Sequence, residues 1–431
     1  MIMPVEKIII GRDKSDLDKY GDSGTAYIGK HIVGKGEEAH LTNPVHMDLV
    51  RPHIVLICGK RGSGKSYTGA VIAEELTNLP KDVRDNLSII LVDTMGIYWS
   101  MKFKNTKEAE LLKGWGLKAQ SFDTLFFVPK IHTKFYEEVG LKSVPFVLPC
   151  NEIAADDWLL TFSFSPMEEH GIVTERAVKA AQKSGRRYDI DDIIAAVQAD
   201  QKTEQKIKDA VINRFLVAKD WGIFEKEGTP VLDIFQPGKA TVIDVSHYMR
   251  VAAGWGVRSM VVGLLARRVF QERLMARKKE EFETMGGERL KTIPMVWFVI
   301  DECHQFVPSE GATAASEPLL TLVKEGREPG ISIAMITQMP NKLNQEALAQ
   351  ADLIISHRLT ARSDLEALRS VMQTYVLEDI QELINVLPRK KGAAIVLDDN
   401  SERLYAIHVR PRLSWHAGGS PSAIREKGLF G

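Results

Sequence analysis

Between residues 54 and 79 an apolar run, Ile54 to Cys58, passes through Gly59-Lys60-Arg61-Gly62-Ser63-Gly64-Lys65-Ser66 into an amphipathic segment, Tyr67 to Leu79. The octapeptide fits G-x-x-x-x-G-K-[ST], and its flanks read as a strand and a helix, the context in which that pattern binds phosphate. Glycines at 59, 62 and 64 allow a tight turn, so that successive N–H groups and the positive end of the next helix converge on anionic oxygens. In such a loop Lys65 reaches the β- and γ-phosphates and the Ser66 hydroxyl ligates Mg²⁺. Gly59, Gly62, Ser63, Gly64 and Tyr67 complete the expected nucleotide contacts. The pattern predicts an α/β core with ATP and Mg²⁺ as its cofactors.

A chain of 431 residues, 44% hydrophobic and 26% charged, is long enough for a large core and more than one domain or subdomain. Its 56 basic and 57 acidic residues leave a net charge of −1, so any nucleic acid must be held by local basic patches rather than by a general field. Three cysteines without C-x-x-C spacing give neither a disulfide framework nor a zinc site, and a reducing cytoplasm is expected. The apolar run Ile8-Ile9-Ile10 is too short for a signal peptide, and no run reaches membrane-spanning length.

Residues 1–50 are polar and punctuated by glycine, with strand-like pieces at 26–28 and 31–33, and read as a small β-rich lead-in. A second buried strand, 88–92, ends in Asp93-Thr94-Met95-Gly96. There Asp93 either meets a ligand at the carboxyl edge of the sheet or caps the next turn. A first part of the core is expected over 51–107. From 108 to 237 the α/β rhythm weakens, and helical spacing at 172–182, 190–198 and 203–221 predicts a mainly helical insertion. The core resumes over 238–409, with a strand at 240–245 and a long helix over 256–283 that ends near Arg277-Lys278-Lys279.

The strand Met295 to Ile300 ends in Asp301-Glu302. Paired with Lys65, this pattern assigns Asp301 to the metal shell and Glu302 to activation of water. Cys303 beside His304 suggests a thiol nucleophile, but with no acyl-transfer context a small buried apolar residue is the stronger reading. A helix over 316–325 leads to Gly326-Arg327-Glu328-Pro329-Gly330, and a strand over 331–336 leads to Thr337-Gln338. Gln338 is placed to orient water or sense the γ-phosphate, or else to hydrogen-bond at the strand end. Arg327 either enters a neighbour's nucleotide site or complements a helix end. Ser363-x-x-Glu366 has capping-box spacing, and two strands at 393–397 and 404–409 close the sheet.

Taken together, the phosphate loop, Asp93-Thr94-Met95-Gly96, the block Asp301 to Pro308, Glu325-Gly326-Arg327, Thr337-Gln338-Met339-Pro340 and Ser356-His357-Arg358-Leu359 resemble the HerA/FtsK superfamily of hexameric DNA-translocating ATPases, HerA above all. The resemblance runs over about residues 51–420. It implies a RecA-like core with a helical insertion, a hexameric ring with ATP between subunits, and double-stranded DNA in the pore. It makes Arg327 the arginine finger acting in trans, Gln338 the γ-phosphate sensor, and Arg51 a second interface arginine. It also implies that a nuclease or other effector encoded nearby works with the ring, and that a C-terminal extension, 410–431, braces a neighbouring subunit through Arg410, Arg412 and Arg425. The chain departs from the family pattern in three places. Only about fifty residues precede the loop where HerA proteins carry a β-barrel, Ile97 follows Gly96 where the family has Glu, and Cys303 stands where alanine is common.

The expected function is hydrolysis of ATP coupled to translocation along, or unwinding of, duplex DNA. An effector-activating ring scaffold and a DNA-packaging or conjugation motor are the alternatives, and the two closing strands argue against a protein-remodelling ATPase with a helical lid. Duplex contacts are expected from Lys102, Lys104 and Lys107, in preference to Arg277, Lys278 and Lys279, because the first group follows a strand end near the nucleotide.

Overall fold

Short runs of Val, Ile and Leu pair side by side because each is buried on both faces. The structure, a computed structural model, describes residues 6–34, 38–250, 254–288, 292–371, 387–388 and 390–418. In chain order the strands are β1 (Ile8–Ile10), β2 (Thr25–Val33), β3 (His40–Asp48), β4 (Ile54–Cys58), β5 (Leu87–Asp93), β6 (Leu125–Pro129), β7 (Val144–Phe146), β8 (Leu148–Pro149), β9 (Phe224–Glu225), β10 (Ala240–Asp244), β11 (Met295–Ile300), β12 (Ile331–Thr337), β13 (Leu353–His357), β14 (Ala393–Asp398) and β15 (Arg403–Val409). All but β8 and β9, which pair with each other, form one 13-stranded sheet of order β1-β3-β2-β15-β14-β13-β4-β12-β11-β5-β10-β6-β7. From β13 to β7 every neighbour is parallel. The return through β14, β15 and β2 is antiparallel.

Alternate residues of each central strand feed two cores. Val55 and Ile57 face the helix Lys65–Asn78, which buries Ala70, Val71, Ile72, Ala73 and Leu76 on that side. Ile54, Leu56 and Cys58 face the opposite layer, built from the long helix Gly254–Thr284, the helix Ser316–Glu325 and the inserted helices. Fully burying a Val or Leu side chain contributes about 1.5–3 kcal/mol, so this double cover fixes the carboxyl edge on which β4, β5, β11 and β12 end together. All three cysteines are buried, Cys303 among them, and burial pushes its thiol up to about 12. It packs as an apolar residue.

Three expectations change. The lead-in is no separate segment, because β2 pairs with β15 and so carries β3 and β1 onto the edge of the main sheet. The helical insertion is narrower than 108–237. The buried run Leu125-Phe126-Phe127-Val128 is a strand that pairs in parallel with β10, and β7 follows it. The helices proper are Ala155–Phe162, Glu169–Lys183, Ile190–Ala199 and Gln205–Asp220, and they pack around Trp158, Phe162 and Phe215. Asp189 caps the third as its sequence suggests, accepting from the Asp192 N–H at 3.1 Å.

The C-terminal segment gives the third change, for Arg410 and Arg412 turn inward. Arg410 Nη1 lies 2.9 Å from Glu74 Oε2, Arg412 Nε lies 3.5 Å from Glu74 Oε1, and all three side chains are buried. These arginines brace the phosphate-loop helix of their own chain. Arg425 and the rest of 419–431 lie outside the described residues. The helix expected from Ser363 begins at Arg362, with Ser363 inside its first turn.

Candidate active site

Gly59, Gly62 and Gly64 have φ of 151°, 74° and 120°, values that side chains disfavour. A Cβ on Gly59 would stand 2.6 Å from the His357 Cβ and 2.7 Å from Ser63 Oγ. The loop is braced from β13 and β14. The Lys60 N–H donates to the Arg358 carbonyl at 2.9 Å, and the Gly392 N–H donates to the Ser63 carbonyl at 3.2 Å. His357 Nδ1 faces the Ala393 carbonyl at 3.1 Å and Nε2 faces Thr68 Oγ1 at 2.9 Å. A carbonyl only accepts, so Nδ1 carries the proton and Nε2 accepts from Thr68. Burial pushes the His357 pKa down to about 4, which keeps the ring neutral.

Lys65 is buried, and among the described residues its Nζ meets only the Lys60 carbonyl, at 3.2 Å. Ser63 Oγ is buried with no hydrogen-bond partner among the described residues. These are donors held open inside a backbone cradle, and they suit phosphate oxygens. Ser66 Oγ donates to Asp301 Oδ2 at 2.8 Å, which places a hydroxyl and a carboxylate together, the oxygen set that a Mg²⁺ ion with its waters takes. The residues therefore fit both groups.

Asp301 and Glu302 follow β11. One strand, β12, separates β11 from β4, so the tip of β12 at Thr337-Gln338 falls between the acids and the phosphate loop. Glu302 sits at φ 51°, ψ 45°, a left-handed conformation costing about 1–3 kcal/mol. Its Oε2 is buried without a hydrogen bond among the described residues, 3.5 Å from His304 Nδ1. Burial, then the Asp301 charge, pushes its carboxyl up to about 7, against the pull of Lys65, the Gln338 N–H and Arg258. A carboxylate poised near neutrality with a free oxygen can accept a proton from water. The Gln338 side chain makes no hydrogen bond among the described residues, and its backbone N–H reaches the Glu302 carboxylate.

Residues 26–269, more than half of the chain and including the phosphate loop, match the family model of the helicase HerA central domain. The chain belongs to the HerA family. The DNA double-strand break repair helicase HerA of Pyrococcus furiosus is 26% identical over 38% of this chain and 31% of its own length. A probable helicase of Methanocaldococcus jannaschii is 25% identical over 78% of this chain and 62% of its own. The chain thus spans less than two thirds of the length of either relative. Among solved structures, VirB4 of Thermoanaerobacter pseudethanolicus superposes with a TM-score of 0.51 at 12% identity, covering 88% of this chain and 96% of that one, a likeness of fold.

In this HerA-family chain the structure does not bring Arg327 to its own phosphate loop. Arg327 precedes β12 at the amino edge of the sheet, while the loop is at the carboxyl edge. The seven residues of β12 put about 20 Å between the two edges. Arg51 precedes β4 on the same amino edge, 3.4 Å from Asp16. Asp93 proves to be a cap. Its two oxygens accept from the N–H groups of Met95, Gly96, Ile97 and Tyr98 at 2.7 to 3.2 Å, while burial and then Asp244 push its carboxyl up to about 8.

Sequence reasoning passed over Arg258. It is buried on the long helix, lies 4.8 Å over the Trp255 ring and donates to Gln305 Oε1 at 2.9 Å, and its Nε is unpartnered. A guanidinium amid Val257, Met260 and Val261 was the available signal, a charge inside an apolar run. The segment of Lys102 is also tied down rather than loose. Ser100 Oγ donates to the Trp415 carbonyl at 2.7 Å, the Asn105 N–H to the Leu413 carbonyl at 3.0 Å, and Lys102 Nζ to the Lys142 carbonyl at 3.3 Å.

Proposed function

We propose that this chain is an ATP-hydrolysing motor subunit that acts on double-stranded DNA in a homo-oligomeric ring, a hexamer by family resemblance, with an effector such as a nuclease. The observation that carries the reading is the division of the site between two sheet edges. Phosphate cradle, Ser66, Asp301 and Glu302 converge at the carboxyl edge, while Arg327 stands exposed at the amino edge, away from its own chain's cradle.

In this reading the loop N–H groups and Lys65 bind the β- and γ-phosphates. Ser66 and Asp301 hold Mg²⁺, which when bound supplies charge neutralisation on the phosphate oxygens. Glu302 takes the proton of the attacking water through its free Oε2, and Gln338 orients that water. Arg327 of the adjoining subunit stabilises charge on the transferred group, an effect on the order of 10³–10⁵ in rate.

Duplex binding rests on a few local cations, since the net charge is −1. Lys104 and Lys107 are exposed and make no ion pair among the described residues, whereas Arg277 is engaged by Glu280 and Glu281. The first two are therefore the favoured phosphate contacts. Such contacts carry no base preference and weaken steeply with salt. Among the described residues no helix is long and apolar enough to cross a membrane.

The test measures ATP turnover with and without duplex DNA. It then mixes Arg327→Ala subunits, which lack the finger, with Lys65→Ala subunits, which lack a working cradle. DNA stimulation and partial recovery in the mixture are expected, because some interfaces pair an intact cradle with an intact arginine. No recovery despite demonstrated mixing would remove the trans assignment. Absent DNA binding and stimulation at low salt would turn the reading to an effector scaffold.

A further inference from the structure

Five charged side chains alternate in sign along the amino edge of the sheet. Arg12 Nη2 lies 2.9 Å from Asp48 Oδ1, and Asp48 Oδ2 lies 3.5 Å from His53 Nε2. His53 Nδ1 is 2.8 Å from Asp352 Oδ2, and Asp352 Oδ1 is 3.4 Å from Arg327 Nη2. The first four are buried, and the Arg327 side chain is 47% exposed. Arg12 lies in the loop after β1 and Asp48 ends β3, so the row runs from the N-terminal segment to the arginine proposed to act on a neighbour.

Asp352 is the fixed point of the row. Its Oδ1 also accepts from the Ile54 N–H at 2.7 Å, and its Oδ2 accepts from Asn400 Nδ2 at 3.3 Å. It is thereby fastened to the first residue of β4, the strand that ends in the phosphate loop. Arg327 has one further partner, the Gln350 carbonyl at 3.2 Å, reached through the same Nη2. Its Nε and Nη1 have none among the described residues. The loop behind it is clamped as well: Arg273, fully buried, donates from Nε to the Pro329 carbonyl and from Nη1 to the Ile293 carbonyl, each at 2.7 Å.

An arginine on a surface loop samples many rotamers, and ordering such a side chain at an interface costs free energy that a prior constraint removes. A guanidinium held by one amino group keeps its planar fork while two other N–H directions stay open to an anion. We propose that Asp352 is a positioning residue that sets the orientation in which Arg327 is offered to the phosphate of a neighbouring subunit, and that His53, Asp48 and Arg12 hold Asp352 for that purpose. The proposal rests on the trans role of Arg327 argued above. It makes the N-terminal strands part of the mount of the finger.

The experiment uses the mixed rings. Asp352→Asn keeps an oxygen for the Ile54 N–H and removes the charge that orients Arg327. Introduced into the Lys65→Ala subunits, which donate the finger, it lowers the recovered kcat about tenfold, less than the roughly hundredfold cost of a 1 Å misplacement, and leaves the KM for ATP unchanged. Introduced into the Arg327→Ala subunits, which have no finger to position, it leaves the recovered rate as it was. Equal losses in both placements would show a structural role, and no loss in either would show that Asp352 is idle; both overturn the proposal. If the asparagine variant does not assemble, Asp352→Glu, which shifts the charge by one methylene, is expected to give the same asymmetry. Failure of the parent mixture to recover at all would instead refute the trans reading, and this proposal with it.

Discussion

His53 allows a stability prediction with a defined pH window. Burial alone would push its imidazole down, but hydrogen bonds and charge from Asp352, then Asp48, outweigh that and raise its pKa to about 9, against 6.5 for an ordinary histidine. A basic group whose folded pKa is raised contributes stability that is fully present below the unfolded pKa and is lost as pH rises through the folded one. The window therefore runs from about pH 6.5 to about pH 9. Its depth is the 2.5-unit difference at about 1.4 kcal/mol per unit, roughly 3 kcal/mol. Asp48 and Asp352, whose pKa values these contacts lower against burial, describe the same attraction from the acid side and add nothing to it at neutral pH. The assay is equilibrium urea unfolding at pH 6 and pH 9.5, followed by tryptophan fluorescence, for the native chain and for His53→Gln. The native chain should lose roughly 3 kcal/mol more than the variant across that interval, since lysines and tyrosines that titrate nearby are common to both. Parallel losses would mean that His53 is neutral in the folded protein, and the alternating row would lose its central cation.

Two further outcomes follow from the site and from its support. Glu302→Gln should bind ATP as the native chain does but hydrolyse it about 10²–10⁴-fold more slowly in single turnovers, and an unchanged rate would remove the base assignment. Arg410→Met leaves Glu74 buried with Arg412 at 3.5 Å as its remaining cation and should cost about 3 kcal/mol in urea unfolding, whereas a loss below about 1 kcal/mol would show that Arg412 and the N–H groups of Leu413 and Ser414, both at 3.0 Å, satisfy that carboxylate without Arg410.

The phosphate loop and the acids after β11 were legible because their chemistry depends on local order: strand, turn and helix in one case, strand and two carboxylates in the other. Their meeting at 2.8 Å through Ser66 and Asp301 follows from a parallel sheet, which brings all strand ends to one edge. What escaped was set by pairing between distant segments. Residues 8–48 read as a separate lead-in because nothing local announces that β2 will pair with β15. The strand at 125–129 was hidden by its brevity and by Pro129. Arg410 and Arg412 read as a brace for a neighbouring subunit, since their partner, Glu74, sits in the middle of a helix where a carboxylate normally faces water. Asp93 was evenly balanced between cap and ligand, and only the four N–H groups converging on it decide for the cap.

The strap that runs from β15 back across the phosphate-loop helix sets an order of events during synthesis. Glu74 and Arg410 are 336 residues apart, and at the roughly 5–20 residues per second of translation the arginine emerges roughly 20–70 s after its partner. Until then Glu74, on the helix that presents Lys65 and Ser66, lacks the cation that pairs with it in the folded protein. The braces from Arg358 and Gly392 also arrive late. A nascent chain that already contains the entire phosphate-binding sequence therefore still lacks the arginine and the two braces that hold that loop and its helix in the folded protein.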